Sequence, residues 1–75
     1  MIDEREATVE LSTRNKLKGT VKSVRTGTIM AEVVVDVGGQ DVVAAITRGS
    51  VEELGLAEGD DVTVLVKATE VMIGK

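Results

Sequence analysis

The chain contains no cysteine, no histidine and no aromatic residue. Without cysteine it can form neither disulfides nor thiolate metal sites. Without histidine it has no imidazole ligand and lacks the commonest proton shuttle of catalysis. Without Phe, Tyr or Trp, the largest individual contributors to a core are missing. So are the stacking platforms on which single-stranded nucleic-acid binders depend. No apolar run approaches the roughly 20 residues needed to span a membrane. No charged-then-apolar leader opens the sequence, which predicts a cytoplasmic protein.

What remains is 75 residues, 43 % of them apolar and dominated by Val, Ile, Leu and Ala. A chain of this size hides only about 60 % of the surface that its unfolded form exposes, so a lone core is marginal. Small folds are usually reinforced by disulfides, a structural metal or self-association. Here the residue types leave association, and a homo-oligomer is expected. Nine Lys and Arg face 13 Asp and Glu, for a net charge of -4. An acidic chain is a poor partner for nucleic-acid phosphates. Any anion site must therefore gather its cations locally.

Residues 1–9 are polar and acidic and read as an N-terminal extension; residues 10–75 read as one domain. Leu17, Gly19 and Val21 alternate with Lys18, Thr20 and Lys22, the period of a half-buried strand. Arg25 to Thr28 reads as a turn. A second strand follows over 29–37, with Ile29, Ala31, Val33, Val35 and Val37 on one face. Gly38-Gly39 between strand formers signals a hairpin, because both glycines accept positive φ. The return strand over 41–47 is apolar on both faces, as is much of 61–67. Such strands cannot bury both faces in one small core, so the second face should meet another subunit.

Ser50-Val51-Glu52-Glu53 has the form of a capping box, with Ser50 as N-cap and Gly55 ending a short helix. A closing strand is expected at Val71 to Ile73. Together these predict an all-β, five-stranded OB-like barrel with one short helix between strands 3 and 4.

Two segments carry chemistry: Ser12-Thr13-Arg14-Asn15 near the start and Lys67-Ala68-Thr69 near the end. Each joins a fixed cation to small hydroxyl donors and backbone N–H groups. That set suits a compact oxyanion, which accepts hydrogen bonds on every side. The string from Leu11 to Gly19 resembles the opening of the molybdenum-pterin-binding protein (Mop, or molbindin) family, in a single-unit form related to TOBE domains. The segment from Val66 to Ile73 resembles its closing strand, and that from Ile46 to Leu56 its middle. The likeness takes in residues 10–75 and implies the same OB-like fold. It further implies molybdate or tungstate as the bound ligand, with no catalytic cofactor. Sites at subunit interfaces and a hexamer built as a trimer of dimers follow from the same likeness.

On that resemblance the oxyanion-binding residues are Ser12, Thr13, Arg14, Thr47, Ser50, Lys67, Ala68 and Thr69. Four of these also have a plainer reading. Arg14 could pair with Glu10 or Glu70 on the surface. Lys67 could be an edge-strand lysine that discourages aggregation. Ser12 could cap a turn, and Ser50 is already accounted for as a helix cap. Asn15 is expected to fix its loop through the side-chain amide rather than to touch the ligand. Ala68 and Thr69 would offer mainly backbone N–H.

The resulting expectation is a molybdate- or tungstate-binding protein that stores or buffers the oxyanion, without enzymatic activity. The alternative is an accessory oxyanion-sensing domain that works with a molybdate transporter ATPase or a regulator. A nucleic-acid-binding OB domain lacks support, having neither aromatic residues nor a basic balance. A purely structural β-rich assembly protein would keep the oligomer and ignore oxyanions. The pterin of the family's name lacks an aromatic partner here, so the free oxyanion is the expected ligand.

Overall fold

The computed structural model describes residues 14–75. The extension over 1–9, and the site candidates Ser12 and Thr13, lie outside the described residues. Strand β1 runs Asn15–Thr26, β2 Met30–Val37 and β3 Gln40–Thr47. Helix α1 spans Arg48–Leu54, strand β4 spans Asp61–Val66, and a 3-10 turn covers Ala68–Glu70. The four strands form one sheet in the order β3-β2-β1-β4. The described chain comprises two compact units, Lys18–Val62 and a second that joins 14–17 to 63–75.

Within Lys18–Val62 the expected alternation is realised. Val21, Ala31, Val33 and Val35 are buried on one face of the sheet, and Val51 of α1 is buried with them. Burying each of these valines contributes about 1.5–3 kcal/mol. β2 and β3 pair antiparallel without a slip, from Met30 opposite Thr47 to Val37 opposite Gln40. The hairpin between them has Gly38 at φ 59° and Gly39 at φ 88°, positive at both central positions as a type I′ turn demands. The Gly39 N–H donates to Asp36 Oδ1 at 2.9 Å and tightens that turn.

β1 outlasts its predicted end. It pairs with β2 as far as Thr26 opposite Ala31, with a register shift between Val21 and Ser23. The extra residue of such a bulge breaks strict alternation, which hides the strand's second half from a period-2 reading. Gly19 lies where the sheet closes in. A Cβ there would meet the Asp36 carbonyl oxygen at 2.6 Å and Val35 Cγ1 at 2.6 Å. Only glycine fits. Ile29, expected on the core face of β2, instead precedes the strand and is 72 % exposed.

Two further expectations need correction. The N-cap of α1 is Thr47 rather than Ser50: Thr47 Oγ1 accepts from the Ser50 N–H at 3.0 Å, and Ser50 lies inside the helix. The helix end is as read, with Gly55 at φ 63° and ψ 39°. The fifth strand at Val71 to Ile73 is absent among the described residues. After β4 the chain turns at once, with Glu70 N–H donating to Lys67 O at 2.8 Å and Val71 N–H to Ala68 O at 3.4 Å. Met72 and Ile73 are then 92 % and 90 % exposed, without apolar cover. The architecture is thus all-β with one short helix between strands 3 and 4.

Candidate oxyanion site

Arg14 stands exposed immediately before β1. Asn15, the first residue of the strand, donates from Nδ2 to the Val66 carbonyl oxygen at 3.1 Å. That bond spans 51 residues of sequence and ties the Arg14–Asn15 step to the end of β4. Asn15 thus plays the fixing role expected of it. Lys67 follows Val66 directly, in extended backbone at φ -68° and ψ 135°, and is exposed. The terminal unit therefore anchors the residue after Arg14 to the residue before Lys67.

The 3-10 turn adds backbone donors at the same end of β4. Its internal bonds use the N–H groups of Glu70 and Val71. Those of Ala68 and Thr69 lie at the start of the turn, where a helical segment leaves its first N–H groups without internal acceptors. Two side-chain cations and two such N–H groups thus belong to one compact unit. All of them are donors. That composition fits a ligand that only accepts, and it matches charge-assisted recognition of a dianion.

The other two candidates sit together in the Lys18–Val62 unit. Thr47 Oγ1 donates to Ser50 Oγ at 2.8 Å while accepting from the Ser50 N–H. Thr47 thereby uses its single hydroxyl proton on Ser50. Ser50 accepts that bond and retains its own proton for an outside acceptor. The pair divides its labour, with Thr47 orienting and Ser50 left as donor. The sequence pattern placed the cap on the wrong hydroxyl. The overlapping frames Thr47-x-x-Ser50 and Ser50-x-x-Glu53 look alike locally. The Arg48 N–H bond to Ile29 O at 2.7 Å fixes where β3 gives way to the helix.

An open groove of about 460 Å³ is lined by Arg25, Thr26, Gly27, Met30, Ala31, Glu32 and Ala45. It contains none of the predicted site residues. Arg25 lies directly across the β1–β2 ladder from Glu32, so a carboxylate would face any oxyanion drawn to that arginine. Among the described residues no cluster of carboxylates with metal-binding spacing occurs, and no helix is long and apolar enough to cross a membrane.

With this geometry in view, comparison with known proteins is decisive for the family. The TOBE domain model matches residues 11–73. The chain belongs to the TOBE domain family, among its molybdenum-pterin-binding members. It is 46 % identical over 66 residues to molybdenum-pterin-binding protein 1 of Clostridium pasteurianum, a match that takes in 87 % of this chain and 97 % of the relative. A solved molybdate-binding protein from Sporomusa ovata superposes with a TM-score of 0.83 at 55 % identity, covering 85 % of this chain and 96 % of that one. The cytoplasmic molybdate-binding protein ModG, solved with molybdate bound, superposes with a TM-score of 0.74 at 42 % identity. That alignment takes in 79 % of this chain and 43 % of ModG.

Proposed function

We propose that this TOBE domain protein binds free molybdate or tungstate and serves as a cytoplasmic store or buffer of the oxyanion. The observation that carries the reading is the donor set of the terminal unit. Asn15 ties the Arg14 and Lys67 segments together beside the N–H groups of Ala68 and Thr69. The molybdate-binding proteins similar to this chain support the choice of ligand. Ser12 and Thr13 complete the N-terminal segment, and Thr47 and Ser50 supply the hydroxyl pair. In this reading Arg14 offers parallel N–H donors to two oxygens of the tetrahedral dianion, and Lys67 adds a point charge. Ser50 donates its remaining proton.

Selectivity follows from proton inventory and size. Monohydrogen phosphate carries a proton that Arg, Lys and backbone N–H groups cannot accept. Sulfate offers the same acceptors as molybdate on a smaller tetrahedron, so pocket dimensions must reject it. Molybdate and tungstate are nearly equal in size and charge, and both should bind. No pterin is assigned, since the chain has no aromatic residue to stack one. No catalytic step is assigned either.

The working form is an oligomer, and we take it to be a hexamer arranged as a trimer of dimers. Among the described residues the core is four valines and one alanine, while Met30, Val43, Leu65, Met72 and Ile73 remain exposed. Subunit contact gives these residues the cover that one chain lacks. The fifth strand over Val71 to Ile73, and closure of the barrel, form in that assembly. Calorimetric titration of oxyanion-free protein with molybdate, with sulfate as control, tests the reading. Saturable molybdate binding with sulfate silent is the expected result. Absence of binding to both molybdate and tungstate would refute it.

A further inference from the structure

Helix α1 is short for the task that Ser50 is given. It has seven residues, and its buried residue is Val51. Isolated helices below about 12–15 residues are marginal in water, so its first turn needs pins from outside. One pin is the Thr47 cap. The other is Arg48, which engages both ends of the connection between β1 and β2. The Arg48 N–H donates to the Ile29 carbonyl oxygen at 2.7 Å. Its Nη1 donates to the Gly27 carbonyl oxygen at 3.4 Å, and its Nε to Glu52 Oε2 at 3.1 Å, one turn along the helix. The connection is itself closed by the Gly27 N–H, which donates to the Met30 carbonyl oxygen at 2.7 Å. Met30 in turn stands opposite Thr47 in the β2–β3 ladder.

The guanidinium therefore clamps the connection to the helix. Nη1 reaches the connection while Nε reaches Glu52, a division of labour that needs the planar fork of arginine. Thr47 immediately precedes this clamp, and Ser50 lies between its two helix residues, Arg48 and Glu52. The Thr47 hydroxyl bonds both Ser50 Oγ, at 2.8 Å, and the Ser50 N–H, at 3.0 Å. A serine hydroxyl turns about its own bond and its side chain has several staggered rotamers. Its aim at a ligand is thus set by what holds it. Thr47 holds Ser50, and the junction secured by Arg48 holds Thr47.

We propose that Arg48, oriented by Glu52, is a positioning residue that fixes the Thr47–Ser50 hydroxyl pair so that Ser50 presents its proton to the oxyanion, without touching the ligand itself. The inference rests on the oxyanion role proposed above for Ser50. It gives Glu52 a part opposite to its charge. An acid near an anion site ordinarily weakens binding through repulsion. Here it supports binding by holding Arg48, and the sign of its effect becomes the test.

Calorimetric titration of the full chain with molybdate reads the consequence. Arg48→Ala should weaken binding about threefold to tenfold, the scale of an exposed ion pair with one further side-chain bond. Arg48→Lys keeps the charge but not the fork and should weaken binding similarly. Glu52→Ala should also weaken it, although a negative charge is removed. Glu52→Gln keeps an oxygen acceptor for Nε and should recover most of that loss. In a Ser50→Ala background, Arg48→Ala should make no further difference. In ligand-free protein, vicinal couplings to the Thr47 methyl should report a single χ1 rotamer in the native chain and an average of rotamers in Arg48→Ala. Native-like binding by Arg48→Lys, or tighter binding by Glu52→Ala, overturns the proposal by making the pair's role one of charge. An undiminished Arg48→Ala effect without Ser50 overturns it by making the role independent of the hydroxyl pair. A native chain that binds neither molybdate nor tungstate refutes the proposed function instead. The Thr47 couplings then decide the clamp by themselves, and a rotamer equally fixed in Arg48→Ala overturns it.

Discussion

The unit Lys18–Val62 and the unit formed by the two ends of the chain are built on opposite principles. The first contains every buried residue among those described, two cross-strand ladders and a hairpin whose glycines fit its turn. The second contains no buried residue among those described, and its last apolar residues stand almost wholly in solvent. Yet the second holds most of the donors proposed for the oxyanion. A scaffold can be specified by its own packing. In the proposed function, a dianion site that needs many converging donors from a short chain is finished by association.

The largest effect that would sharpen this contrast is expected at Gly19. A methyl there meets a backbone carbonyl oxygen at 2.6 Å, which the sheet cannot yield cheaply. Gly19→Ala should cost about 3 kcal/mol, read as a lowered denaturation midpoint. A change near zero would mean that the β1–β2 approach is looser than described. Next come Arg14→Ala and Lys67→Ala in the terminal unit. Each removes charge-assisted bonds worth about 1.5–3 kcal/mol, so molybdate affinity should fall roughly tenfold to a hundredfold. Neither should move the denaturation midpoint of apo protein much, since both side chains are exposed.

Thr47→Ala joins the two halves of the comparison. It removes the helix cap, at about 1 kcal/mol, and also frees Ser50 from its orienting partner. Stability and affinity should therefore drop together, whereas Ser50→Ala should lower affinity while keeping the cap acceptor. Smallest in its effect on the Lys18–Val62 fold is Ile73→Asp, because the side chain is 90 % exposed. Its consequence should instead be a smaller assembly in sedimentation velocity. A variant that assembled normally would remove the C-terminal segment from the proposed interface.

Sequence made the first unit legible and the second only partly so, for a physical reason. Gly38-Gly39 and Gly55 are read correctly because positive φ is a local demand that few other residues meet. Ala31, Val33 and Val35 are legible because one buried face enforces period 2. The extra length of β1 was hidden by its bulge, and the cap was misplaced by one turn because two hydroxyl frames overlap. Val71 to Ile73 form a short apolar run suited to a strand, but such a run says nothing about which chain supplies the partner. Of the site, Asn15 could be assigned as a fixing residue from its amide alone. The roles of Arg14 and Lys67 rested on resemblance, since exposed cations are common and nothing local distinguishes a ligand from a solubilising charge.

The most direct test is native mass spectrometry of the full chain loaded with molybdate in the presence of excess sulfate. One spectrum reads subunit number and oxyanion number together. We predict a six-chain particle carrying whole numbers of molybdate and no sulfate, with bound molybdate lost in Arg14→Ala. A single chain that retained molybdate would contradict the claim that association completes the site. A hexamer free of molybdate would contradict the oxyanion itself.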